Sequence, residues 1–295
     1  MQRPFSISWL LSVLIITLLL SACGNSEQEP KEDLTTPPPP VGMEWWNGLS
    51  EGWKAYFMEK QGISDPPTKE QFEKLRQIEA LDLFNEKNLK SWSEEDSAYV
   101  IDMTPVRSLS NLRAIWCDGI GQLTDIRAFT DLPELRELSL GETGVSDISP
   151  LEQTPKLEKL ELFKTEVADI SPLAKLDKLT FIDLTDTKVS DISVLKNMEN
   201  LEVIYLNKTD VSSLEPISNL TNLREVSFGD TKVSSLKPLS NMTKLTSISF
   251  FNTPVPSLEP IEGLDSLKMI YYSGSKVSEE EKEAFQETHP EAQIF

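Results

Sequence analysis

Few residues in this 295-residue chain are equipped to make or break bonds. The only histidine, His289, stands beside Pro290 near the carboxyl end, where it reads as a cap residue rather than a general base. Of the two cysteines, Cys117 falls in an apolar column and reads as core, a setting that keeps a thiol protonated and inert. Cys23 follows two small residues at the end of an apolar run. No phosphate-cradling glycine loop, zinc-type Cys/His spacing or Gly-x-Ser-x-Gly turn occurs. Carboxylates are plentiful, 48 acidic against 28 basic residues for a net charge of −20, which argues against nucleic acid and anionic head groups as direct partners. Paired carboxylates can hydrolyse a sugar, but only in a site that controls water. The expectation is no enzyme, with no catalytic residue, metal or cofactor.

The elements that must position these side chains announce themselves by period. Leu135, Leu157, Leu179, Leu201, Leu223, Leu245 and Leu267 are spaced by 22 residues, and Leu112 precedes Leu135 by 23. Apolar residues follow each leucine at offsets three and five, as in Leu135-x-x-Leu138-x-Leu140. That alternation predicts a strand with one face buried, and stacked units pair such strands in parallel about 4.8 Å apart. A threonine recurs at offset eight, from Thr143 to Thr253, where its hydroxyl can satisfy backbone groups of the turn leaving the strand. The second half of the unit reads Asp-Ile-Ser-Pro-Leu at Asp147 to Leu151 and Asp169 to Leu173, too short for an α-helix and suited to a 3₁₀ turn. Ser213, Ser235 and Ser257 take the Asp column in later units, which favours turn capping over calcium binding.

The ends of a solenoid need lids. Glu44 to Phe57 is aromatic and helix-like, Thr68-Lys69-Glu70-Gln71 carries a capping box, and Ser278-Glu279-Glu280-Glu281 opens a short helix before Ala292 to Phe295, which predicts a closing strand. Arg3 followed by the apolar run Phe5 to Leu20 predicts an export leader over 1–22. A polar, Pro-rich tether follows over 23–43, then a helical cap over 44–77. About nine repeats occupy 78–276, the first irregular with an insertion near 91–98, and a carboxyl cap fills 277–295. The fold class is an α/β solenoid, a horseshoe of 22-residue repeats with a parallel concave sheet and 3₁₀ or loop structure on the convex side.

Leu20-Ser21-Ala22-Cys23 resembles the lipobox of bacterial lipoproteins. That resemblance implies cleavage before Cys23, its acylation, and an extracytoplasmic chain held to a membrane of the cell envelope, at the outer membrane or cell surface. Gly24 rather than Asp after Cys23 favours export to an outer membrane where one exists. The repeats, from Ile78 to Val277, resemble the leucine-rich repeats of the internalin family in their Leu, Asp-Ile and Pro-Leu columns. In that family the concave face binds proteins. Here the turn Asn of the family pattern is Thr, and the family's immunoglobulin-like domain and wall-sorting signal are not evident.

Offsets two, four and six of each strand fall on the concave face. They place Phe163, Phe181 and Tyr205 beside Glu161 and Asp183, with Trp116 toward the amino end and Phe251 and Tyr271 toward the carboxyl end. Aromatic side chains on a sheet surface are what a binding hot spot uses, although sheets favour aromatics in any case. The acidic lining of this face, Glu137, Glu161, Asp183 and Glu225, predicts a protein partner of basic character. The alternative is a structural spacer with no dedicated ligand.

Overall fold

The computed structural model describes residues 36–83 and 102–295. The leader, Cys23 and the insertion near 91–98 lie outside the described residues. Within the unit from Pro38 to Phe295, ten parallel strands form a single sheet in strict chain order. They run from β1 (Ala80–Asp82) and β2 (Ala114–Trp116) through β3 (Glu137–Ser139), β4 (Lys159–Glu161), β5 (Phe181–Asp183), β6 (Val203–Tyr205), β7 (Glu225–Ser227), β8 (Ser247–Ser249) and β9 (Met269–Tyr271) to β10 (Gln293–Ile294).

Each strand is three residues long in its repeat because only its middle residue must face the core. Leu138, Leu160, Ile182, Ile204, Val226, Ile248 and Ile270 stand opposite one another along the sheet, all buried. Burying each such side chain contributes roughly 1.5–3 kcal/mol, and the register lets every repeat lend its neighbour that burial. The ladder continues past the strands: Leu162 N donates to Asp183 O at 2.8 Å and Lys164 N to Thr185 O at 2.7 Å.

At offset seven the backbone turns left-handed in every unit from Gly119 to Gly274, with φ near 55° at Glu142, Lys164, Asp186, Lys208, Asp230 and Asn252. The threonine at offset eight closes that turn. Its hydroxyl donates to the carbonyl three residues back in each case, as from Thr187 to Leu184 at 2.7 Å. Eight 3₁₀ turns complete the units among the described residues, several opened by an aspartate such as Asp169, whose Oδ1 accepts from Ser171 N at 2.8 Å. Proline in their first turn costs no hydrogen bond, since that N–H has no partner there.

Helices α1 (Met43–Gly48), α2 (Glu51–Gln61) and α3 (Lys69–Arg76) close the amino end. Trp46, Trp53 and Phe57 are fully buried there, and Trp53 Nε1 donates to Asp102 O at 2.7 Å. Helix α4 (Glu279–Thr288) and β10 close the other end, burying Phe285. No helix among the described residues is long and apolar enough to cross a membrane.

Candidate functional site

The sheet face opposite the core carries the columns at offsets two, four and six, and small and large residues alternate on it. Where a glycine meets an aromatic ring, the ring occupies the space a side chain would take. A methyl group at Gly141 would sit 2.1 Å from the Phe163 ring, and one at Gly229 would sit 2.2 Å from the Phe251 ring. Phe163 therefore covers the repeat before it, while Phe181 and Tyr205 meet edge-on at 5.5 Å. Ser139, Gly141, Ser227, Gly229 and Ser247 face outward in the pleat yet are buried by such larger neighbours.

Between these aromatics lies a cavity of about 350 Å³. Its walls are Tyr205, Phe251 and Tyr271, and its polar lining is Asn207, Glu225, Ser227, Ser247 and Ser249. Tyr205 is fixed by donating its hydroxyl to Glu225 Oε1 at 2.9 Å. Burial, together with that carboxylate, pushes the Tyr205 phenol up to about 12. Tyr271 stacks on Phe295 at 4.9 Å, so the carboxyl cap supports this wall while Tyr271 stays 39% exposed.

Toward the amino end the same face is acidic. Asp118 Oδ1 accepts from Ser139 Oγ at 2.5 Å and from Gly141 N at 2.7 Å, and Ser139 also reaches Glu161 at 3.3 Å. Burial raises the carboxyls of Asp118, Glu161 and Asp183 above the ordinary range; Glu161 is pushed further by the charges of Asp118 and Asp183. Trp116 stands opposite Ser139 on β3, at the start of this acidic stretch. The face thus holds an excess of negative charge, only partly offset by Lys159, beside an aromatic-walled cavity, a combination that attracts a cationic, partly apolar surface. Cys117 is fully buried and burial drives its thiol far up, in keeping with a packing role.

Residues 155–197 and 199–241 match the family of leucine-rich repeats in two copies. These stretches are leucine-rich repeats, and the solenoid they build is similar to that of the internalins. Internalin C2 of Listeria monocytogenes is 26% identical over 64% of this chain and 83% of its own, with a TM-score of 0.59. A second Listeria monocytogenes internalin (inlF), 17% identical, covers 89% of this chain and 92% of its own with a TM-score of 0.61. A leucine-rich-repeat protein of Leptospira interrogans, 22% identical, matches 65% of this chain and 50% of its own with a TM-score of 0.61. The last two likenesses speak to the fold alone. No curated protein matches the chain by sequence.

Of the residues predicted from sequence, the structure gathers Tyr205, Phe251 and Tyr271 around one cavity. Phe181 and Asp183 adjoin it through β5, next to β6. Glu161, Phe163 and Trp116 belong to the acidic stretch. Sequence reasoning placed Glu225 in the acidic lining but missed Asn207, Ser227, Ser247 and Ser249 as site residues, because each is unremarkable alone. The available signal was three serines on adjacent rungs, flanked by aromatics.

Proposed function

We propose that this protein is displayed on a bacterial envelope and binds another protein through the outer face of its repeat sheet, with the Tyr205–Phe251–Tyr271 cavity as anchor point. The observation that carries this reading is the cavity itself. A spacer has no use for a concavity walled by three aromatic rings, whereas an interface hot spot fills such a pocket with a side chain of its partner. The structural neighbours support it as leucine-rich-repeat solenoids, a fold commonly used to bind proteins. No reaction is assigned.

The domain scheme belongs to the same proposal: a leader over 1–22, Cys23 acylated, a tether over 23–43, a cap over 44–77, repeats over 78–276 and a carboxyl cap over 277–295. More than one acyl chain on Cys23 would hold the protein stably, since each buried methylene adds about 0.8 kcal/mol. A Cys23→Ser chain is then recovered in the soluble fraction while the wild type sediments with membranes.

Capture from envelope extracts tests the binding face. The Tyr205→Ala/Tyr271→Ala chain, compared with wild type, removes two cavity walls without touching the core. Loss of a partner, with thermal unfolding unchanged, is the expected result. Identical captured proteins from both chains would leave the solenoid as a spacer.

A further inference from the structure

The outer face repeats itself over a longer period than 22 residues. Ser139 and Ser227, Gly141 and Gly229, Phe163 and Phe251, and Glu137 and Glu225 are each 88 residues apart, four repeats. The geometry repeats with them. Asp118 accepts from Ser139 Oγ at 2.5 Å and Gly141 N at 2.7 Å, while Asn207 accepts from Ser227 Oγ and Gly229 N, both at 2.7 Å. In both copies a phenylalanine ring lies over the glycine.

The copies differ at one rung. In the amino-terminal copy, Glu137 stands opposite Lys159, and Lys159 Nζ lies 3.0 Å from the Glu137 carboxylate. In the carboxyl-terminal copy, Glu225 stands opposite Ser247 in the same register. Serine there, and Ser249 where the first copy has Glu161, line the cavity. Ser247 is 5% exposed, and its hydroxyl, which forms no hydrogen bond among the described residues, opens to the cavity rather than being sealed in the core. Glu225 forms no ion pair among them either; it is held only by Tyr205. The cavity therefore lies at the rung where, four repeats earlier, the half-exposed Lys159 side chain reaches across to Glu137.

We infer that the cavity receives a lysine or arginine side chain from the partner protein, which supplies in trans the cation that Lys159 supplies in the first copy. It would pair with Glu225, donate to the Ser247 and Ser249 hydroxyls, and lie against the rings of Tyr205, Phe251 and Tyr271. A neutral side chain gains the rings but leaves Glu225 unpaired. The acidic stretch through Asp183 and Glu161 attracts the flanking basic residues of the same segment. This inference rests on the reading of that face as a binding surface.

The test uses the pentapeptide acetyl-Gly-Gly-Arg-Gly-Gly-amide and its neutral citrulline counterpart, titrated into the ¹⁵N-labelled Cys23→Ser chain. The arginine peptide is expected to shift the amides of Ser247, Ser249 and Phe251, and citrulline to bind about tenfold more weakly, the scale of one partly desolvated cation–π contact. Ser247→Lys should abolish the response, because the new lysine fills the cavity and pairs with Glu225 as Lys159 does with Glu137. Ser247→Ala should keep it. Equal binding of the citrulline peptide, an unchanged response in Ser247→Lys, or no shift at millimolar arginine peptide would each overturn the inference. If the arginine peptide fails while the Tyr205→Ala/Tyr271→Ala chain still loses a partner, the binding face stands and only its cation preference falls. If that chain also captures the same proteins as wild type, both readings fall.

Discussion

Replacing Thr187 with valine tests the turn chemistry on which the solenoid depends. Thr187 is buried, and its hydroxyl donates to Leu184 O at 2.7 Å, just after Asp186 takes up its left-handed backbone at φ 58°. Valine keeps the shape and removes the donor, leaving a carbonyl in the core without that bond. A buried polar group so orphaned costs about 1–2 kcal/mol, near the middle of the range for lost internal hydrogen bonds. In a domain of this size that lowers Tm by about 2–8 °C. Thr187→Asn should cost less, because its amide can donate to the same carbonyl. Calorimetry and urea unfolding of the Cys23→Ser chain measure the change. A valine variant as stable as its parent would refute the argument that the threonine column holds the turns.

Three further outcomes follow from the packing and the charges. Trp53→Ala removes a fully buried ring that stacks on Phe57 at 5.5 Å and donates to Asp102 O, and should cost about 3–5 kcal/mol in urea unfolding. In the Cys23→Ser chain, Cys117 should resist a thiol reagent such as Ellman's until denaturant unfolds the repeats; rapid labelling of the native protein would contradict its burial. Because burial and neighbouring carboxylates raise the Glu161 carboxyl above 4.5, the folded state binds its proton more tightly than the unfolded chain does. Stability should therefore rise as pH falls through the raised value toward 4.5, and Glu161→Gln should be more stable than wild type at pH 7 by less than about 1 kcal/mol, a difference that vanishes near pH 4. A Glu161→Gln chain less stable than wild type at pH 7 would reverse that sign.

The repeat architecture was legible because periodicity multiplies a weak local signal. Leu138, Leu160 and Ile182 each say little, but their common column predicts one register, and the sheet adopts it. The threonine column was legible for the same reason. The left-handed residue at offset seven was not, because Glu142, Lys164, Asp186 and Lys208 carry none of the glycine preference that marks such a turn, and only Gly119 and Gly274 hint at it. The outer face was half legible. Its columns could be read directly, but the eye goes to aromatics, whereas a cavity is made by what is small. Ser247 and Ser249 create the space that Tyr205, Phe251 and Tyr271 enclose. Phe163 shows the converse: its partner is the glycine of the preceding repeat, a contact visible only once the ring is seen lying across Gly141. The 88-residue spacing was present in the sequence, hidden beneath the stronger period of 22.

The central claim is that a partner docks on the sheet face at the cavity. A photoreactive benzoyl-phenylalanine placed at Ser249, inside the cavity, and separately at Ser235, on an exposed loop between β7 and β8, reports directly on what touches each site in intact cells. The account predicts a discrete protein adduct from position 249 and none from position 235. Equal adducts at both positions, or none at 249, would contradict it.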